Sequence, residues 1–212
     1  MSKTLYYVYD PLCGWCYGAS PAVSDVLETP DCRVALLPSG LFSGERARPM
    51  DDDFARFAWS NDQRIQRLTG QGFSEHYRSG VLADRQQLFD SGPATVALTA
   101  VSLTDPSQEF TALKAIQHAR YVEGSDVTSR TTLAGLLTAL GLDQAAAMMA
   151  RPDEGLLGAN RDRVAQAQTL MQQFGAGGVP TFIAEAGARR SLLDTGAAYS
   201  NPRSLAEQLQ AA

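Results

Sequence analysis

Strand character is confined to the two ends of this chain, and the long middle reads as helix. Residues 5–9, Leu-Tyr-Tyr-Val-Tyr, form a short aromatic and β-branched run that Asp10-Pro11 ends. A helical stretch over residues 14–28 follows, then a turn at Thr29-Pro30-Asp31 and a second strand over residues 32–37, stopped by Pro38. Strand, helix, strand in so short a segment is a βαβ unit whose two strands pair in parallel. Residues 179–184 and 190–193 flank Gly187 and read as a hairpin, after which Asn201-Pro202 caps a last helix with Leu205 and Leu209 on one face.

The middle carries start and stop signals for helices only. Asp51-Asp52-Asp53 supplies an N-cap for a helix running to Thr69, with Phe54, Phe57, Ala58, Ile65 and Leu68 as its buried positions. Ser91-Gly92-Pro93 starts another, with proline suited to the first helical turn. Asp105-Pro106 begins a helix reaching Val122 before Gly124, and further helices span 129–140, 143–150 and 154–174, up to the break at Gly175-Ala176-Gly177-Gly178. The plan is α/β: β-α-β, an all-helical insertion, then β-β-α. Residues 1–48 and 175–212 make one domain, and residues 49–174 the insertion.

An apolar fraction of 44% over 212 residues is enough for a core without cross-links. No run approaches the roughly 18 apolar residues of a membrane helix. Residues 1–10 have no basic leader, long apolar stretch or small-residue cleavage site, so the expected location is cytoplasmic. A net charge of −5 argues against nucleic acid or an anionic membrane as partner.

Three cysteines in a reducing compartment do not make a disulfide framework. Cys32, opening the second strand, reads as a buried, inert thiol. Cys13-Gly14-Trp15-Cys16 is different, because two thiols two residues apart can meet across the first turn of a helix. A bridge over so short a loop is worth only roughly 2 kcal/mol, against about 4.7 for a loop of about 100 residues. Such a pair is suited to opening and closing. The thiolate is the attacking species, and a helix N-terminus favours an anion, so Cys13 attacks and Cys16, facing inward, resolves. Gly14 keeps the approach to Cys13 open, and the Trp15 ring docks a substrate chain or shields the sulfur. Pro21 kinks the following helix or delays its start. Asp10 serves the Asp-Pro turn, and His76 and His118, both in the insertion, read as surface or core positions.

Strand, Cys-x-x-Cys, helix, strand, and later Gly178-Val179-Pro180-Thr181 opening a hairpin, resembles the thioredoxin fold. The resemblance implies that Pro180 is a cis proline lying against the active-site cysteines, and that the Val179 backbone pairs with an extended substrate. The long helical insertion is similar to that of DsbA-like proteins. The run from Asp10 to Gly18, with Ser91-Gly92-Pro93, is especially like their cytoplasmic FrnE-type branch. A thiol–disulfide oxidoreductase or isomerase without cofactor is implied, acting on protein or low-molecular-weight thiols and disulfides, with a further redox partner. The Gly14-Trp15 dipeptide is neither the Gly-Pro of thioredoxin nor the Pro-His of the periplasmic oxidant.

Two other readings compete. Relatives of the same architecture are glutathione-dependent transferases or isomerases of the kappa and hydroxychromene-carboxylate type, which need no dithiol. Alternatively, Cys13 and Cys16 could be half of a zinc site, but a second Cys-x-x-Cys or His-x-x-x-His is missing.

Overall fold

The computed structural model describes residues 3–212. Strand β1 (Lys3–Tyr9), helices α1 (Gly14–Gly18) and α2 (Ser20–Glu28), and strand β2 (Cys32–Pro38) form the N-terminal unit. β1 and β2 pair in parallel, Lys3 opposite Cys32 through Tyr9 opposite Pro38. At the other end of the chain, β5 (Thr181–Ala186) and β6 (Arg189–Leu192) form the hairpin around Gly187, whose φ of 61° suits the turn. β5 docks antiparallel on the free side of β1 and completes a four-stranded sheet in the order β2-β1-β5-β6.

The period of two along β1 separates the two faces of this sheet. Leu5, Tyr7 and Tyr9 point with Phe182 and Ala184 into the larger core, toward α2 and the C-terminal helix α10 (Ser204–Ala211). The Tyr7 and Phe182 rings stack 5.1 Å apart. Val8, Leu37 and Ile183 point the other way, and Ala167 and Leu170 of α8 (Glu154–Gln173) cover them. The last helix of the sequence insertion is therefore a layer of the sheet domain.

Between β2 and α8 lie a two-residue ribbon, β3 (Arg48–Pro49) with β4 (Leu88–Phe89), and helices α3 (Asp52–Thr69), α4 (Gly92–Thr104), α5 (Glu109–Tyr121), α6 (Arg130–Ala139) and α7 (Asp143–Ala150). A short α9 (Ala197–Ser200) precedes α10. The caps follow the sequence: Asp51, Ser129 and Asp153 each accept from a backbone N–H one turn on. Arg163 of α8 fastens the layers, donating to the Leu36 carbonyl at 2.8 Å and pairing with Glu109 at 2.5 Å.

Two expectations are corrected, the burial of two α3 residues and that of Cys32, and the kink expected at Pro21 is observed. Phe57 and Leu68 are 64% and 47% exposed. At 3.6 residues per turn each lies about 80–100° around α3 from Ala58, off the Phe54–Ala58–Ile65 line. Cys32 is only partly buried, because β2 is an edge strand. The helix after the cysteines starts at Gly14 but breaks at Ala19, and Pro21 lies in the first turn of its second half. Pro21 has no N–H for the Tyr17 carbonyl, which accepts from Gln71 Nε2 at 3.1 Å.

Candidate active site

Cys13 is the N-cap of α1, and its sulfur accepts from the Cys16 backbone N–H at 3.4 Å. Its S–H donates to the Val179 carbonyl at 3.6 Å, so the β5 hairpin reaches the first cysteine across 166 residues of chain. The Val179-Pro180 peptide bond is cis. Both thiols are free. Cys13 is 8% exposed and Cys16 fully covered. Burial pushes the Cys16 thiol well above its ordinary range, and its contact with Cys13 pushes the same way. The Cys16 carbonyl accepts from the Tyr7 hydroxyl at 3.1 Å and the Ser20 hydroxyl at 3.4 Å. The inner cysteine is thus set in a fixed wall.

Asp10 sits directly behind this turn. Its Oδ1 accepts from Leu12 N at 2.9 Å; its Oδ2 accepts from Phe42 N at 3.3 Å and from the Ser91 hydroxyl at 2.7 Å. Both carboxylate oxygens are occupied, and the Ser91-Gly92-Pro93 motif acts here by tying the start of α4 to the cysteine turn. Complete burial lifts the Asp10 pKa to about 6, the hydrogen bonds holding it down from a higher value.

On its open side Cys13 lines a cavity of about 160 Å³ between α1 and the helical insertion. Leu12, Phe42, Phe54, Phe57 and Phe89 give it apolar walls, and Trp15 closes one edge. Trp15 is itself held edge-on against Tyr199, centroids 4.9 Å apart, with the Arg64 guanidinium over its ring. Phe57 is exposed because it stands in this wall.

Sequence reasoning missed a carboxylate in the cavity wall and a guanidinium packed against the rings of that wall. Asp62 of α3 is 4% exposed, and its Oδ2 accepts from the Tyr77 hydroxyl at 3.0 Å. Burial raises its pKa to about 7, against the pull of that hydrogen bond and of the Arg120 charge. Arg120 is 2% exposed and stacks over Tyr77, Phe89 and Tyr121 at 5.2–5.7 Å. The periodicity held a signal: Asp62 falls four residues after Ala58 and three before Ile65, on the inner face of α3. A carboxylate on that face was the clue.

Gly14 has a second reason to be glycine. A Cβ there would lie 2.5 Å from Asp62 Oδ1, and one at Gly18 would lie 2.5 Å from Ile65 Cγ2. These two glycines let α3 close onto α1 and bring Asp62 to the backbone beside Cys13.

Other sequence candidates lie apart. Cys32 is at the far end of β2 from the cysteine turn, roughly 20 Å away at 3.3 Å per residue. His76 and His118 are exposed. Among the described residues no helix is long and apolar enough to cross a membrane.

A sheet of order β2-β1-β5-β6, a Cys-x-x-Cys at the N-terminus of α1 and a helical insertion define a class. The chain belongs to the DSBA-like thioredoxin domain family, whose model matches residues 4–209. It is a DsbA-like disulfide oxidoreductase. Among solved structures it is similar to the cytosolic disulfide reductase DsbM from Pseudomonas aeruginosa: 37% identical, covering 99% of this chain and 100% of that one, TM-score 0.86. A structure of that reductase with GSH is 35% identical, covers 98% of each chain and has a TM-score of 0.82. The oxidoreductase DsbA from Xylella fastidiosa shares the fold, at 14% identity, TM-score 0.54, covering 100% of this chain and 88% of that one. No curated protein matches the chain.

Proposed function

We propose that this protein is a cytoplasmic thiol–disulfide oxidoreductase that works by a Cys13/Cys16 dithiol, in the reducing direction, on disulfides that include glutathione-type ones. The carrying observation is the asymmetry of the two sulfurs. Cys13 borders the cavity and receives the Cys16 amide; Cys16 is sealed behind it with its proton held tightly.

Cys13 is the nucleophile because only its sulfur meets the cavity. The amide that points at it is a donor of the kind that holds a sulfur anion. Attack gives a mixed disulfide on Cys13, and Cys16, in the same helical turn, attacks that sulfur in its place. A sealed Cys16 does not compete for substrate. Val179, whose carbonyl already faces Cys13, and Pro180 form the substrate-pairing edge, with Trp15 and Gly14 at the mouth. The reducing direction, the cytoplasmic setting and the glutathione-type partner are supported by the 37% identical cytosolic reductase and its structure with GSH.

Cys13→Ser is expected to abolish disulfide turnover, and Cys16→Ser to accumulate a mixed disulfide with substrate that mass spectrometry detects. Wild-type turnover by Cys13→Ser would sink the reading. Equilibration against a glutathione buffer tests direction. A potential near that of thioredoxin, about −270 mV, fits a reductant, and one near about −120 mV an oxidant.

A further inference from the structure

The helical insertion brings to the cavity a carboxylate that the dithiol step above leaves unused. Asp62 Oδ2 is held by Tyr77, whereas Oδ1 accepts no hydrogen bond among the described residues. Oδ1 lies against the α1 backbone at Gly14, the residue after Cys13, and Asp62 and Cys13 line the same cavity. From this arrangement we infer that Asp62 is the acid that protonates the thiolate expelled when Cys13 attacks a substrate disulfide. The inference rests on the dithiol reading.

Disulfide exchange expels a thiolate, and a leaving group of lower pKa departs faster. In an apolar cavity an unprotonated alkyl thiolate is costly, so a proton delivered at departure accelerates the step. The in-line geometry puts the departing sulfur two S–S bond lengths from Cys13 Sγ, about 4 Å, which keeps it beside the walls that line the cavity. Cys13, having lost its proton to water, attacks one substrate sulfur. The Cys13–sulfur bond forms, the substrate S–S bond breaks, and its electron pair leaves on the distal sulfur. The Asp62 proton goes to that sulfur and frees the first thiol. The carboxylate left behind keeps the Tyr77 hydrogen bond and the attraction of Arg120, and regains a proton from water. Cys16 then attacks Cys13, the second thiol departs with the Cys16 proton, and two electrons have passed to the substrate.

The titratable and charged groups packed around Asp62 are Cys13 on α1, Tyr77 on the segment after α3, and Arg120 and Tyr121 on α5. Tyr77 and Arg120 favour the carboxylate, and burial opposes it with the larger effect, which keeps the proton available near neutral pH.

The test uses the intact protein and two disulfides: glutathione disulfide, whose leaving thiol is basic, and dithiobis(nitrobenzoate), whose aryl thiolate departs without a proton. Asp62→Asn is expected to slow single-turnover reduction of glutathione disulfide by about 10²-fold or more, and the aryl disulfide by less than about twofold. The ratio of the two rates cancels the ionisation of Cys13. In the wild type it should fall as pH rises through about 7 and in Asp62→Asn be flat. Tyr77→Phe removes a bond to the carboxylate, so it should move the midpoint of that fall upward; a merely structural Asp62 would move neither. Equal slowing of both substrates by Asp62→Asn, or a ratio independent of pH in the wild type, overturns the role of Asp62. The dithiol reading then stands as long as Cys13→Ser is inactive on both substrates.

Discussion

Two buried carboxylates flank the cysteine turn, one from each half of the molecule, and they do opposite work. Asp10, at the end of β1, accepts from two backbone amides and a hydroxyl, so both of its oxygens are engaged in holding the loop. Asp62, from the insertion, accepts from one hydroxyl and presents its other oxygen to Gly14, at the cavity that Cys13 also lines. Burial pushes both toward the neutral form, and the partners pull back: the donors on Asp10 leave it at about 6, and the Tyr77 hydroxyl with the Arg120 charge leaves Asp62 at about 7. The number of donors separates a carboxylate that builds a loop from one that can trade a proton.

The sharpest way to break this comparison is an isosteric amide at each position. Asp10→Asn presents an NH₂ where acceptors are needed, so it should destabilise the protein by about 2–3 kcal/mol, read as a lower urea midpoint. Asp62→Asn still accepts from Tyr77 and should cost clearly less at pH 8. Equal losses would mean that both carboxylates are structural.

A somewhat smaller effect should appear in the pH dependence of stability. Both groups have folded values above the 3.8 of an ordinary aspartate, so the folded protein binds these protons more tightly than the unfolded chain. Their contribution to stability therefore grows as pH falls through about 7 and about 6 toward 4, and is lost as pH rises again. Between pH 7 and 5.5 the wild type should gain about 2 kcal/mol, and Asp62→Asn should lose the upper part of that slope. A wild-type curve that falls steadily from pH 8 to 5 contradicts the shifts.

The smallest expected effect comes from the glycine that joins the two halves. Gly14→Ala sets a Cβ against Asp62 and Ile65 and should cost about 1–2 kcal/mol by overpacking. Gly177→Ala, with open space around its Cβ, is the control and should stay within about 0.5 kcal/mol.

Much of this was legible in the chain. The βαβ start, the helix limits at Asp51, Ser129 and Gly141, and the hairpin around Gly187 follow from local rules, since caps and turn residues act within a few positions. The cysteine pair was legible for the same reason. The inner face of α3 was less so: Phe57 and Leu68 are apolar but point outward, and Asp62 is charged but points inward. Hydrophobic identity misleads where a helix lines a cavity, because there the exposed side is also apolar and the buried side carries the polar group that does the work. Arg120 escaped notice in the same way.

The sequence by itself determined the cysteine pair, its place at the first turn of a helix and the βαβ unit around it, because these depend on spacing and local backbone preference. Tertiary structure alone decided what lines the cavity that Cys13 meets, which carboxylate keeps a free oxygen, and how close Asp62 comes to Gly14. Those are matters of burial and of donors arriving from distant segments, such as Phe42, Tyr77, Ser91 and Val179, and nothing in a local pattern records which distant group will arrive.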